Sequence, residues 1–217
     1  VVLLHGILSA RFRAWEPVID MIQGVYDARS NAFGSYDYYA FGYRSGIVQP
    51  PFETCFEPLR QLMARPRYDT VVLIGHSQGG VLAKLFLIDE LQRGRLGQCK
   101  VDLVITLDTP HTGPQPWIYP VVLLGALWKR VPLLNRVPVW RQAADLARWS
   151  PSLARLRREW NATNFPGRPC AASATRRHLR SYTVSGAPLP LLGVKGVVSK
   201  ASAHGFEIDE PIAGDAP

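Results

Sequence analysis

Residues 71–80 read Val-Val-Leu-Ile-Gly-His-Ser-Gln-Gly-Gly. The apolar run Val71–Ile74 has the composition of a buried strand, and it breaks at Gly75-His76-Ser77-Gln78-Gly79. A helix-like stretch follows, Val81-Leu82-Ala83-Lys84-Leu85-Phe86-Leu87. A serine between strand and helix must occupy a tight turn with a strained backbone. Gly75 and Gly79, two residues either side, remove the Cβ atoms that would collide there. The turn lifts the Ser77 hydroxyl clear of the sheet and sets it at a helix N-terminus, where the Gln78 amide points at the position of a developing oxyanion. Gly-x-Ser-x-Gly alone also occurs as a plain Ser-Gly loop. Here the strand before and the helix after favour a nucleophile elbow.

The chain opens on a second strand-like run, Val1-Val2-Leu3-Leu4, which ends in His5-Gly6-Ile7. A strand ending in His-Gly some 70 residues before the serine resembles the oxyanion loop of the α/β-hydrolase fold, of the Gly-X type of bacterial lipases. The resemblance implies that the Ile7 amide is the second oxyanion donor beside that of Gln78. The bland alternative is a glycine turn at a strand end.

At 217 residues the chain is one domain's worth, enough for a sizeable core, and 47% hydrophobic with 19% charged residues is a globular composition. Residue 1 is not Met and already lies in a strand, so the chain reads as a fragment cut at both ends. The net charge of +8 is uneven: residues 129–180 hold twelve Lys and Arg against two Asp and Glu. That excess suits either a solvated Arg-rich face or an anionic lipid surface or substrate. No nucleic-acid motif accompanies it, so nucleic acid is not an expected partner. Cys55, Cys99 and Cys170 lack metal-ligand spacing, and their odd number does not make a complete disulfide framework. Neither metal nor cofactor is expected. Cellular location is not legible. Asn161-Ala162-Thr163 is a glycosylation sequon in form, which has meaning only in a eukaryotic secretory setting.

Strand and helix patterns alternate over the first half, which predicts βαβ units and a parallel sheet. Strands are expected at 1–4, 36–43, 70–75 and 101–107, and helices at 14–25, 53–64 and 78–92. Leu82, Leu85 and Phe86 fall at core spacing on the last of these helices. The run Leu107-Asp108-Thr109-Pro110-His111-Thr112-Gly113 is a further point of resemblance, shared with lipases and with GPI-inositol deacylase-like proteins. In those families the His of this motif shapes the loop, so His111 is not counted as a base. From 113 to 180 the alternation stops. Pro116–Trp128 is strongly apolar, too short to span a membrane and interrupted by Pro120. It reads as a cap that lines an acyl pocket or touches lipid, or as a buried helix of the inserted segment. Ser150-Pro151-Ser152-Leu153-Ala154-Arg155-Leu156 resembles the segment before the penultimate core strand of lipases, and 180–186 fits that strand.

A serine hydroxyl needs an imidazole base, and the base needs a carboxylate. In this fold the chain order is Ser, acid, His. The resemblance puts the acid in an Asp-Gly-Val-Val motif, but here Lys195-Gly196-Val197-Val198 occupies the slot. A lysine cannot accept the imidazole N–H and opposes an imidazolium. Asp108 is the substitute, since some lipases carry their acid after that strand. Its alternative role is a local cap on the following turn. For the base three readings stand: a histidine past Pro217, His204, or none. His178 sits in an Arg-rich stretch and reads as surface.

The expectation is therefore an α/β-hydrolase fold, with 1–112 and 181–217 as core and 113–180 as a cap or lid. The implied activity is serine-dependent hydrolysis of a carboxylic ester with an acyl or lipid portion. Two rivals are an impaired member that binds lipid or a partner through its basic cap, and an acyltransferase.

Overall fold

A computed structural model of the chain describes residues 1–7, 15–16, 19–20, 37–46, 48–65, 68–95, 98, 100–113, 120, 123–124, 127, 141–163, 180–184 and 210–211. Among the described residues six strands form one sheet: β1 Val2–Leu4, β2 Tyr39–Phe41, β3 Val71–His76, β4 Val101–Leu107, β5 Arg180–Val184 and β6 Glu210–Pro211. Their order is β2-β1-β3-β4-β5-β6, and every pairing is parallel. Parallel neighbours need crossover connections, and helices fill them on the described part of the chain.

Alternation along the strands feeds two apolar layers. On one face Val2, Leu4, Val71, Leu73, Val101 and Val104 join the main core; on the other Leu3 and Ile74 pack with Trp15 and the flanking Ile19. The main core is roofed by a 3₁₀ turn Phe52–Cys55 with helix α1 Phe56–Met63, by α2 Gln78–Gln92 and by α4 Pro151–Thr163. Every residue of α2 from Gln78 to Glu90 is buried, so this helix has no solvent face over its first thirteen residues. An apolar helix enclosed on all sides is the expected environment for Val81-Leu82-Ala83…Leu85-Phe86-Leu87-Ile88.

The expected helix over 53–64 begins as a 3₁₀ turn. Pro51, in extended conformation with φ −54° and ψ 153°, precedes it. Pro58 sits in the first turn of α1, where its missing N–H has no intrahelical acceptor to lose. The aromatic strand expected over 36–43 is shorter, Tyr39–Phe41.

Within the segment expected as a cap, α4 is a core element. Leu153, Leu156 and Trp160 are fully buried in the main cluster, against the layer of α2. Ser150 opens the helix as an N-cap: its Oγ accepts from the Leu153 amide at 3.1 Å, with Pro151 at the first helical position. Lys84 of α2, also fully buried, sets its ammonium 4.6 Å over the Trp160 ring and pins the two helices together. A short helix α3, Arg141–Asp145, precedes α4. Among the described residues no helix is long and apolar enough to cross a membrane.

Candidate active site

The parallel register brings three loops to one edge of the sheet. Leu4 pairs with Gly75 and His76 with Leu107, so His5-Gly6-Ile7, Ser77 and Asp108 all follow the carboxyl ends of neighbouring strands. Ser77 has φ 53° and ψ −120°, a conformation that L-residues rarely hold. It immediately precedes α2, and it is partly exposed while Gln78 and Gly79 behind it are buried.

The glycines of the elbow are required by close approach. A Cβ on Gly79 would sit 2.1 Å from the carbonyl oxygen of Leu4, and one on Gly75 would sit 2.5 Å from the Gly80 backbone. Helix α2 can therefore start hard against β1 and β3, which sets Ser77 in its turn. Gly80 is equally confined by Thr109, a role the pentapeptide motif does not announce.

The His5-Gly6-Ile7 loop runs beside the serine: a Cβ on Gly6 would lie 3.1 Å from the Ser77 Cβ. His5 is buried, and its Nδ1 lies 3.0 Å from the Gly6 carbonyl oxygen. A carbonyl only accepts, so Nδ1 carries the proton in this contact. In a planar trans peptide the carbonyl and the next N–H point opposite ways. Holding the Gly6 carbonyl to His5 thus turns the Ile7 N–H outward from His5. The His5 ring stacks on Tyr43 at 4.3 Å between centroids, and the Tyr43 hydroxyl donates to the His5 carbonyl. Burial pushes the Tyr43 phenol well above its ordinary range, which keeps it a donor.

His76 lies edge-on to Trp15, 6.4 Å between ring centroids. Burial lowers its imidazole below the ordinary 6.5; the Asp108 carboxylate pulls the other way, and His5 adds to the lowering. Asp108 has φ 46° and is, with Ser77, one of the two non-glycine residues at positive φ among the described residues. His111 is buried in the turn that follows, where its own amide bonds the Thr109 carbonyl at 2.9 Å. His204, Lys195 and His178 lie outside the described residues, as do Cys99 and Cys170. The described residues hold no cluster of three His, Cys, Asp or Glu side chains at metal-binding spacing.

Three buried polar residues near the elbow escape a sequence reading: Ser45, Gln49 and Gln142. The Gln78 side chain donates to Gln142 Oε1, and Gln142 Nε2 donates to the Pro50 carbonyl at 2.6 Å. Gln49 Nε2 donates to the Ser45 carbonyl at 3.0 Å and Gln49 Oε1 accepts from the Ala143 amide at 3.0 Å. No periodicity or spacing marks Gln49 and Gln142, because their bonds to Gln78, Pro50 and Ala143 span 64 to 94 positions.

A parallel sheet with a strained serine between β3 and α2, and a His-Gly loop beside it, defines an α/β-hydrolase fold. Comparisons with known proteins agree. Residues 44–119 match the family model of the PGAP1-like alpha/beta domain. A stretch of 48 residues is 38% identical to the GPI inositol-deacylase of Candida albicans, over 22% of this chain and 11% of that protein. Phospholipase PlaB from Legionella pneumophila, in its complex with thio-NAD, superposes with a TM-score of 0.66 at 15% identity, over 93% of this chain and 43% of that one. The mature lipase BlEst2 of Bacillus licheniformis superposes with a TM-score of 0.59 at 17% identity, over 98% of this chain and 81% of that one. At these identities the structural likeness is one of fold. The chain spans only a small part of the deacylase and under half of the phospholipase chain.

Proposed function

We propose that the chain carries a serine-dependent carboxylic ester hydrolase site acting on an ester with an acyl or lipid portion. The observation that carries the reading is Ser77 at φ 53° and ψ −120°, beside the His5-Gly6-Ile7 loop. Strain of this kind costs stability and persists where the surrounding structure imposes it. Here three glycines and the packing of α2 exist to impose it.

In this reading Ser77 Oγ attacks the ester carbonyl while a histidine takes its proton. The Ile7 and Gln78 amides hold the tetrahedral oxyanion. The histidine returns the proton to the leaving alcohol, and water then repeats the sequence on the acyl-enzyme. Asp108 is the proposed acid: it follows the strand next to that of Ser77, on the same edge. Within this sequence the candidate for that histidine is His204. An acyl portion is supported by Leu123, Leu124 and Leu127, which stand exposed in the segment between β4 and α3. The neighbouring basic segment suits an anionic lipid surface.

Reaction of the full-length protein with a fluorophosphonate and with p-nitrophenyl esters of increasing chain length tests the reading. Ser77 is expected to be the labelled residue, and Ser77→Ala to lose both labelling and turnover. Absence of labelling and of turnover in the wild type would leave a lipid- or partner-binding protein, the reading that Lys195 in the acid slot favours. Transfer to a competing alcohol in place of water would make it an acyltransferase.

A further inference from the structure

We infer that Gln142 and Gln49 are positioning residues that fix both halves of the oxyanion hole from one short helix, α3. The inference rests on the proposed assignment of the Ile7 and Gln78 amides as oxyanion donors.

The orientation of the glutamine amides follows from the ends of the chain of bonds. The Pro50 carbonyl can only accept, so the group of Gln142 facing it, at 2.6 Å, is the NH₂. Gln142 Oε1 must then face Gln78, and Gln78 must present its own NH₂. The Gln78 Oε1 is buried with no hydrogen-bond partner among the described residues. Within that set, the bond to Gln142 is the one that orients the Gln78 side chain. Gln78 is the residue whose backbone amide faces the oxyanion in the proposed mechanism.

The second half runs through the next residue of α3. The Ala143 amide lies in the first turn, where a helix leaves its N–H groups without intrahelical acceptors, and Gln49 Oε1 takes it at 3.0 Å. The other end of the Gln49 amide holds the Ser45 carbonyl at 3.0 Å. Ser45 Oγ lies 3.3 Å from His5 Nδ1, the atom that holds the Gly6 carbonyl and so turns the Ile7 amide. Gln49, Gln78 and Gln142 are each 0% exposed. In such surroundings an amide that loses its partner has no water to replace it, so the arrangement is all-or-none. Adjacent residues of α3 therefore reach both oxyanion donors by separate routes. A displacement of α3 moves both.

The test uses the full-length protein with active sites titrated by fluorophosphonate, so that kcat is counted per competent site. Gln142→Met keeps the volume and removes both bonds. It is expected to lower kcat about 10- to 100-fold with KM unchanged, below the full loss of one oxyanion donor, which costs on the order of 10²–10³. Affinity for a trifluoromethyl ketone, which forms the tetrahedral adduct, should fall by the same factor. Gln142→Glu keeps the acceptor for Gln78 and should retain more of kcat than Gln142→Met. Gln49→Met is expected to act in the same direction through the His5 side, and it carries the test alone if Gln142→Met does not fold. Leu153→Ala removes packing from the neighbouring helix and no hydrogen bond. It should lower thermal stability and leave kcat per site unchanged. A per-site kcat unaltered in both Gln142→Met and Gln49→Met, with the wild type active, overturns the inference alone. A rise in KM at constant kcat also overturns it, by assigning the bridge to substrate binding. A wild type that neither labels nor turns over removes the proposed function, and the inference with it.

Discussion

The amide of Ser77 donates to the carbonyl of Leu107 at 2.8 Å, across the ends of β3 and β4. The bond continues the parallel ladder one step past His76, the last residue of its strand. It holds Ser77 to the neighbouring strand while the chain turns at φ 53° into α2. The residue after that carbonyl, Asp108, has φ 46°. One hydrogen bond thus joins the two places where the described backbone takes a left-handed turn without glycine. Neither turn can relax without breaking the ladder end that the other uses. Ser77 and Asp108, one residue beyond the paired strand, are thereby held relative to each other through the backbone.

The strain at Ser77 is measurable as stability. A residue held at such φ and ψ costs about 1–3 kcal/mol, and glycine escapes the Cβ contribution to that cost. Ser77→Gly is expected to be more stable than Ser77→Ala by about 1 kcal/mol in urea unfolding, despite the greater freedom of glycine in the unfolded chain. Equal midpoints for the two variants would mean that the turn is unstrained.

Asp108→Asn separates the two roles of that residue. If Asp108 orients and stabilises the imidazolium, kcat should fall on the order of 10³–10⁴ with little change in KM, since an amide cannot supply the charge. Stability should change little, because an Asn holds positive φ as readily as Asp. An unchanged rate would leave Asp108 as a turn residue and send the search for the acid to the segment around Lys195.

The central part of this architecture is legible in the sequence because local and tertiary demands coincide there. The strand Val71–His76 and helix Gln78–Gln92 fall within one residue of expectation, since an apolar β run, a glycine-flanked serine and an apolar helix leave no other reading. The second half is harder. Leu153, Leu156 and Trp160 form an i, i+3, i+7 stripe, a helical core signal diluted by Arg155, Arg157 and Arg158 between them. That stripe makes α4 a layer of the core within a segment otherwise expected to be a cap. At the site, Ser77, Gly75, Gly79 and the His5-Gly6 loop carry motif information. Gln49 and Gln142 carry none: a glutamine in a polar stretch looks like surface until the fold brings its partner from 90 or more residues away.

His76 gives the fold a dependence on pH. Its imidazole is lowered by burial below the ordinary 6.5, with Asp108 opposing and His5 reinforcing. Between the folded and unfolded values the unfolded chain binds the proton and the folded chain does not. Stability is therefore full above about 6.5, declines as pH falls below it, and stops declining below the folded value. Urea midpoints of the wild type and of His76→Gln, compared from pH 8 to pH 5, should converge or cross as pH drops. Parallel curves would show that His76 titrates equally in both states.

Glu90 tests the far end of α2, thirteen residues and roughly 20 Å along the helix from Ser77. Its carboxylate is 2% exposed and accepts from Arg60 at 2.7 Å and Arg95 at 3.0 Å. Burial alone would raise its pKa, but the hydrogen bonds and charges of Arg60 and Arg95 outweigh burial and hold it below the ordinary carboxylate range. The pairing therefore stabilises the fold above the unfolded-state value and is lost as pH falls through the folded one. Glu90→Gln removes the charge and leaves two arginines facing a neutral amide. Asp89 is close by, 3.6 Å from Arg60 and 3.7 Å from Arg95, and compensates in part. A loss of about 2–3 kcal/mol is expected, somewhat below the usual cost of breaking a buried pair. Because the cluster joins α1 to the end of α2 and touches no part of the elbow, kcat per titrated site should stay at the wild-type value. A loss of kcat without a loss of stability would reverse this division of labour along the helix.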